Sequence, residues 1–122
     1  HYEEDLHSVI NWMRAAYQLH DVTQLQTLLK TYEASRFSTP HHLYQRALLS
    51  YACEDVQTIA GLKQLEEQAF PHFDQQHYYA LTLFYAPLWA RFYEKLHAYK
   101  QASHCYQLAL HASEKIRARM SS

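Results

Sequence analysis

The sequence predicts an all-α fold, three stacked antiparallel helical hairpins forming a six-helix α-solenoid, and three observations predict it. One Gly and three Pro in 122 residues leave too little turn chemistry for sheets joined by tight hairpins. Apolar residues recur at steps of three and four along most of the chain. The helical stretches also come in pairs that repeat about every 35 residues, the period of helical-repeat arrays.

A chain of 122 residues is the size of one domain and buries roughly two thirds of its unfolded surface. The expected pairs span approximately 3–35, 40–70 and 74–119. In the first pair, Leu6, Val9, Ile10, Met13, Ala16 and Tyr17 make one stripe. Asp21 then caps a second helix with Val22, Leu25, Leu28, Leu29 and Tyr32 on its apolar face. A break over 36–40 follows, with Ser38 or Thr39 as cap and Pro40 suited to a first helical turn.

The second pair opens with Leu43, Tyr44, Ala47, Leu48 and Tyr51. After the acidic Glu54-Asp55 corner come Val56, Ile59, Ala60, Leu65 and Ala69. Gly61 marks either an interruption or a close helix approach. Pro71 is expected to end this pair, since it disfavours helix at Phe70 and removes an amide donor.

The third pair begins near residue 75 with a helix that is apolar almost all round, Tyr78 to Tyr93, and that must be covered on more than one side. Pro87 within it predicts a kink or break costing about 3 kcal/mol. The last helix, about 98 to 118, carries Ala98, Ala102, Cys105, Tyr106, Ala109, Ala112 and Ile116 as a stripe facing its partner. Short connections make each pair antiparallel, and a hairpin with two apolar faces is satisfied only by stacking.

Across Leu83–Ile116 the chain resembles a tetratricopeptide repeat. A small residue, an aromatic three later, Ala nine after that, an aromatic four further and Ala three further are Ala90, Tyr93, Ala102, Tyr106 and Ala109, with Tyr99 at the corner. Ala86 stands where the repeat carries Trp, His97 where it carries a corner Gly and Glu114 where it carries a closing Pro. The second pair keeps Leu48, Tyr51 and Ala60 in register, and the first keeps Tyr17. In size and in its Gln-, His- and Tyr-rich composition the chain is similar to the ligand-sensing domains of Gram-positive peptide-pheromone transcription regulators of the Rgg and PlcR kind. That resemblance implies a short peptide bound on a concave face, with DNA binding carried by a separate helix-turn-helix domain.

Repeat geometry places the first helix of each pair along that groove. The residues expected to line it are Asn11, Ala15 and Gln18 in the first pair, His42, Gln45 and Leu49 in the second, and Phe84, Arg91, Glu94 and Lys95 in the third. Amide and charged side chains there suit a peptide's backbone and termini. A protein partner, or a second copy making a homodimer, is the alternative.

Other function classes lack their parts. Net charge is −1; residues 1–61 carry four Lys/Arg against seven Asp/Glu and the remainder seven against five, with no clustered basic stripe for nucleic acid. Lys115, Arg117 and Arg119 offset the last helix's dipole. Most of the eleven Tyr occupy stripe positions, as core residues do. One Gly allows no phosphate cradle, and Glu66 and Glu67 are adjacent, so they diverge around a helix. No nucleophile–base set appears, so no enzyme and no cofactor are expected. Among ten His, His97, His104 and His111 are seven apart, about 10 Å per step and too far to share one ion, so no metal is expected either. His41-His42 and His72/His77 stand near helix starts.

Nothing reaches the ~20 apolar residues of a membrane span. Two distant cysteines, Cys53 and Cys105, give no disulfide framework and point to the cytoplasm. The opening His1, rather than Met, points to a piece of a longer protein.

Overall fold

Leu6, Val9, Ile10, Met13 and Ala16 recur at helical spacing and are all buried, which fixes the first helix, α1 (Tyr2–Gln18), by its apolar face. The computed structural model describes the backbone of residues 2–121 and the side chains of residues 5–121. Five helices follow: α2 (Val22–Thr31), α3 (Pro40–Ala52), α4 (Ile59–Gln75), α5 (Tyr79–Lys95) and α6 (Tyr99–Ser121). There is no strand among the described residues, so the chain is all-α as expected. It divides into two compact units, residues 1–56 and 57–122. The expected second pair, 40–70, therefore has one helix in each.

In the first unit α1 packs on α2 and on α3. Asp21 caps α2 as the sequence predicts, its Oδ1 accepting from the Gln24 amide at 3.0 Å. Leu25 and Leu28 are buried, whereas Val22 is exposed. At the other end of α2, Arg46 of α3 donates from Nε to the Tyr32 carbonyl (2.9 Å) and from Nη2 to the Leu29 carbonyl (2.7 Å). A cation thus satisfies carbonyls that the helix end leaves over. Burial holds the Arg46 pKa below its ordinary value, against the opposing pull of Glu33. The break before α3 contains a short 3-10 turn, Ala34–Arg36, and the buried Phe37, an anchor the sequence reading passed over. Thr39 is the N-cap of α3, and Pro40 stands in its first turn.

The buried face of α3 differs from the expected stripe. His42, Gln45, Leu48 and Leu49 are buried, while Leu43, Tyr44, Ala47 and Tyr51 are half-buried. The reason is α1, which meets this face with polar partners: Arg14 Nη1 donates to Gln45 Oε1 at 3.3 Å, and His7 Nδ1 lies 3.3 Å from His42 Nε2.

In the second unit α5 packs on α4 and, more extensively, on α6. Helix α4 starts at Ile59 rather than Val56, because Thr58 caps it and accepts from the Gly61 amide at 3.0 Å. Gly61 is thereby a first-turn residue, and the helix is not interrupted there. Pro71 does not end α4, which continues to Gln75, and α5 likewise runs unbroken through Pro87. The amides these prolines lack would bond the carbonyls of Glu67 and Leu83, both exposed residues, and the buried residues flanking each proline carry the helices across.

Helix α5 is covered on two sides, with Tyr85, Ala86, Trp89, Ala90 and Tyr93 fully buried. Trp89 Nε1 donates to the Leu62 carbonyl at 3.0 Å, and the Phe73 and Tyr85 rings stack at 6.2 Å. Ala102, Cys105, Ala109 and Ala112 are the buried face of α6, and these small side chains let it approach α5 closely. Tyr106 departs from the expected stripe and is 42% exposed.

Helices α1, α4 and α5 end alike. His20, His77 and His97 hold φ of 59°, 60° and 59°. The following amides reach back to the carbonyls of Ala16, Phe73 and Tyr93 at 2.9, 2.8 and 2.9 Å, and the His amides to those of Tyr17, Asp74 and Glu94 at 3.0, 3.1 and 3.0 Å. This doubly bonded stop is usually made with Gly; here His takes the left-handed position each time.

Candidate ligand groove between α4 and α6

Residues four apart on α4 and three or four apart on α6 share a face. Glu66, Phe70 and Asp74 on α4 therefore meet His104, Leu108 and His111 on α6, and with Glu67 and Pro71 they enclose a cavity of about 420 Å³. Its apolar lining is Phe70, Pro71 and Leu108, of which Phe70 is buried and Pro71 exposed. Its rim carries three carboxylates and two imidazoles.

Glu66 is held in place from beneath. Its Oε1 accepts the Tyr93 hydroxyl at 2.6 Å and faces the Cys105 thiol at 3.7 Å, while Oε2 lies 3.9 Å from His104 Nε2. Burial, reinforced by the Glu66 carboxylate, pushes both the Tyr93 and Cys105 pKa values well above ordinary. A thiol so shifted stays protonated and is a poor nucleophile. At the other end, His111 Nε2 lies 3.8 Å from Asp74 Oδ1, with both groups exposed. His104 and His111 thus face separate carboxylates and do not converge on one point, as their spacing requires.

The residues expected to line a groove are distributed differently. Asn11, Ala15 and Gln18 are exposed on α1. His42, Gln45 and Leu49 are not on an open face: they are buried in the first unit for the reason given above. Phe84 is half-buried, its ring edge-on to Tyr85 at 4.7 Å. Arg91 is exposed, and the Lys95 ammonium lies 5.9 Å from the centre of the Phe92 ring. Glu94 accepts the Tyr106 hydroxyl at 2.6 Å, a bond that raises the tyrosine pKa. Glu94 also lines a second recess, about 350 Å³, with Tyr99, Ser103, Tyr106 and Leu110.

Sequence reasoning missed the α4/α6 groove because it judged Glu66 and Glu67 as a failed catalytic pair. They do diverge, Glu66 half-buried and Glu67 exposed, yet both reach the same rim. The signal lay in two stripes read together, acid–aromatic–acid at 66, 70 and 74 and His–Leu–His at 104, 108 and 111. A wider recess in the first unit, about 730 Å³, is lined mostly by polar side chains, Thr23, Gln26, Thr27, Lys30 and Ser50 among them, with Leu29 as its one large apolar residue. No helix among the described residues is long and apolar enough to cross a membrane. No family model matches the chain, and no curated protein or solved structure matches it.

Proposed function

We propose that the chain is a peptide- or protein-binding helical domain rather than an enzyme. In its finer form it is the ligand-sensing part of a bacterial transcription regulator, with DNA contacts left to another segment. The α4/α6 groove carries this reading. A lining that sets Phe70, Pro71 and Leu108 beside Glu66, Glu67 and Asp74 suits a short peptide that presents one apolar side chain between basic ones. The tetratricopeptide-like spacing of Ala90, Tyr93, Ala102, Tyr106 and Ala109 supports a binding domain of the helical-repeat kind, and the regulator form rests on size and the Gln-, His- and Tyr-rich composition.

Fluorescence anisotropy with labelled pentapeptides tests it, one series carrying Leu between Lys and Arg, the other Leu between two Glu. The basic series binds more tightly, and Glu67→Gln and Asp74→Asn each weaken it about threefold, the worth of an exposed charge pair. Leu108→Lys, which sets a cation in the apolar lining, abolishes binding. Equal affinity for both series, or indifference to all three substitutions, refutes the assignment.

A second reading, a scaffold that associates through α6, is favoured by Tyr99, Tyr106 and Leu110, which are 61%, 42% and 57% exposed around the second recess. Sedimentation across a concentration series decides it: self-association that Leu110→Lys abolishes supports a homodimer, and a monomer throughout excludes one.

A further inference from the structure

Three histidines gather at one place in the first unit, whereas the α4/α6 groove belongs to the second. His7 on α1 and His41 and His42 on α3 each turn one ring nitrogen toward the others, and these three atoms all lie within 4.8 Å of one another. His7 is exposed, His41 half-buried and His42 buried.

Two distances say more than proximity does. His7 Nδ1 and His42 Nε2 are 3.3 Å apart, at the far edge of hydrogen-bond range. That length is also the edge of a tetrahedron with metal–nitrogen bonds of 2.0–2.1 Å, about 3.3 Å. Adjacent residues of a helix point some 100° apart and do not face each other. The rings of His41 and His42 nevertheless lie 4.1 Å apart between centroids. A His7–His42 hydrogen bond concerns one pair of ring nitrogens, whereas a shared cation engages all three.

We propose that His7, His41 and His42 form a three-imidazole site for a borderline divalent transition cation such as Zn2+. Imidazole nitrogen is the donor such ions take, and three of them leave a fourth position. Water fills that position from the side where His7 is exposed. The buried His42 fixes one corner, and His41 and His7, nearer the surface, rotate to close the longer separations. An ion held there joins α1 to the first turn of α3 and stabilises the first unit by linkage.

Titrating the whole chain with Zn2+, and with Co2+ as a coloured substitute, tests the site. The parent chain binds one equivalent, gives the visible absorption of four-coordinate Co2+, and melts at higher temperature with the ion. His7→Gln and His41→Gln, neither at a fully buried position, retain the helical circular dichroism of the parent. Each weakens binding about tenfold or more by removing one of three ligands. His104→Gln with His111→Gln leaves binding unchanged. The proposal is overturned if the parent takes up no stoichiometric ion, if the His7→Gln and His41→Gln double variant binds as the parent does, or if the α6 variant is the one that loses the ion.

Discussion

His20 sits at φ 59° on an exposed corner, in a conformation that costs a residue bearing a Cβ about 1 kcal/mol or more. Replacing it with Gly removes that cost, and the added freedom of the unfolded chain takes part of the gain back. His20→Gly is therefore expected to stabilise by about 0.5 kcal/mol in urea unfolding. Tyr93 and Cys105 carry a pH dependence of common origin, burial beside the Glu66 carboxylate. Their native pKa values lie above the ordinary 10.0 and 9.0, so above pH 9 the unfolded chain holds fewer protons than the native one. Stability is then full below the ordinary values and falls as pH rises, by up to about 1.4 kcal/mol per pH unit for each group. Melting temperatures from pH 8 to 11 should fall less steeply in Tyr93→Phe than in the parent, and identical slopes would count against the shift. At this scale the sequence was partly informative: His97 in place of a corner Gly was visible, but that His20 and His77 play the same role depends on where the helices stop.

Helix ends and helix interiors were not equally legible. Those of α1 and α2 were, because their stripes are apolar and Asp21 is a strong cap. Helix α3 was not, because its buried face includes His42 and Gln45, and a reading based on apolar periodicity passes over polar residues that a neighbouring helix pairs. Pro71 misled for a related reason: local preference favours a stop, whereas Phe70 and Phe73, both buried, hold the chain helical on either side of it. Pro71→Ala restores a backbone donor in α4 and should stabilise by about 1–3 kcal/mol in denaturant titration. Arg46 acts on another helix altogether. Arg46→Ala leaves the Leu29 and Tyr32 carbonyls without their charged donor and should cost about 1.5–3 kcal/mol. Arg46→Lys, which keeps the charge but not the fork, falls between. Hydrogen exchange of the α2 amides should quicken in both.

For the molecule as a whole, composition was enough for the all-helical class, since a chain with one Gly has few other ways to turn. The groove was harder to see: Glu66 and His104 are 38 positions apart in the numbering, and nothing local marks them as neighbours. The three-histidine cluster was hidden in the same way, His7 being separated from His41 and His42 by all of α2. Partition into units was also beyond periodicity, which sees hairpins but not where contacts between successive helices thin out.

The two tryptophans fall one to each unit. Trp12, 52% exposed, belongs to residues 1–56, and Trp89, fully buried with its indole N–H bonded, belongs to residues 57–122. Nature has thus placed a separate lamp in each half. Trp89 emits from a dry surrounding and should shift to the red as the second unit opens, whereas Trp12, already wet, should change little. Trp12→Phe turns the chain's fluorescence into a report on the second unit alone, against which its melting can be followed without the first.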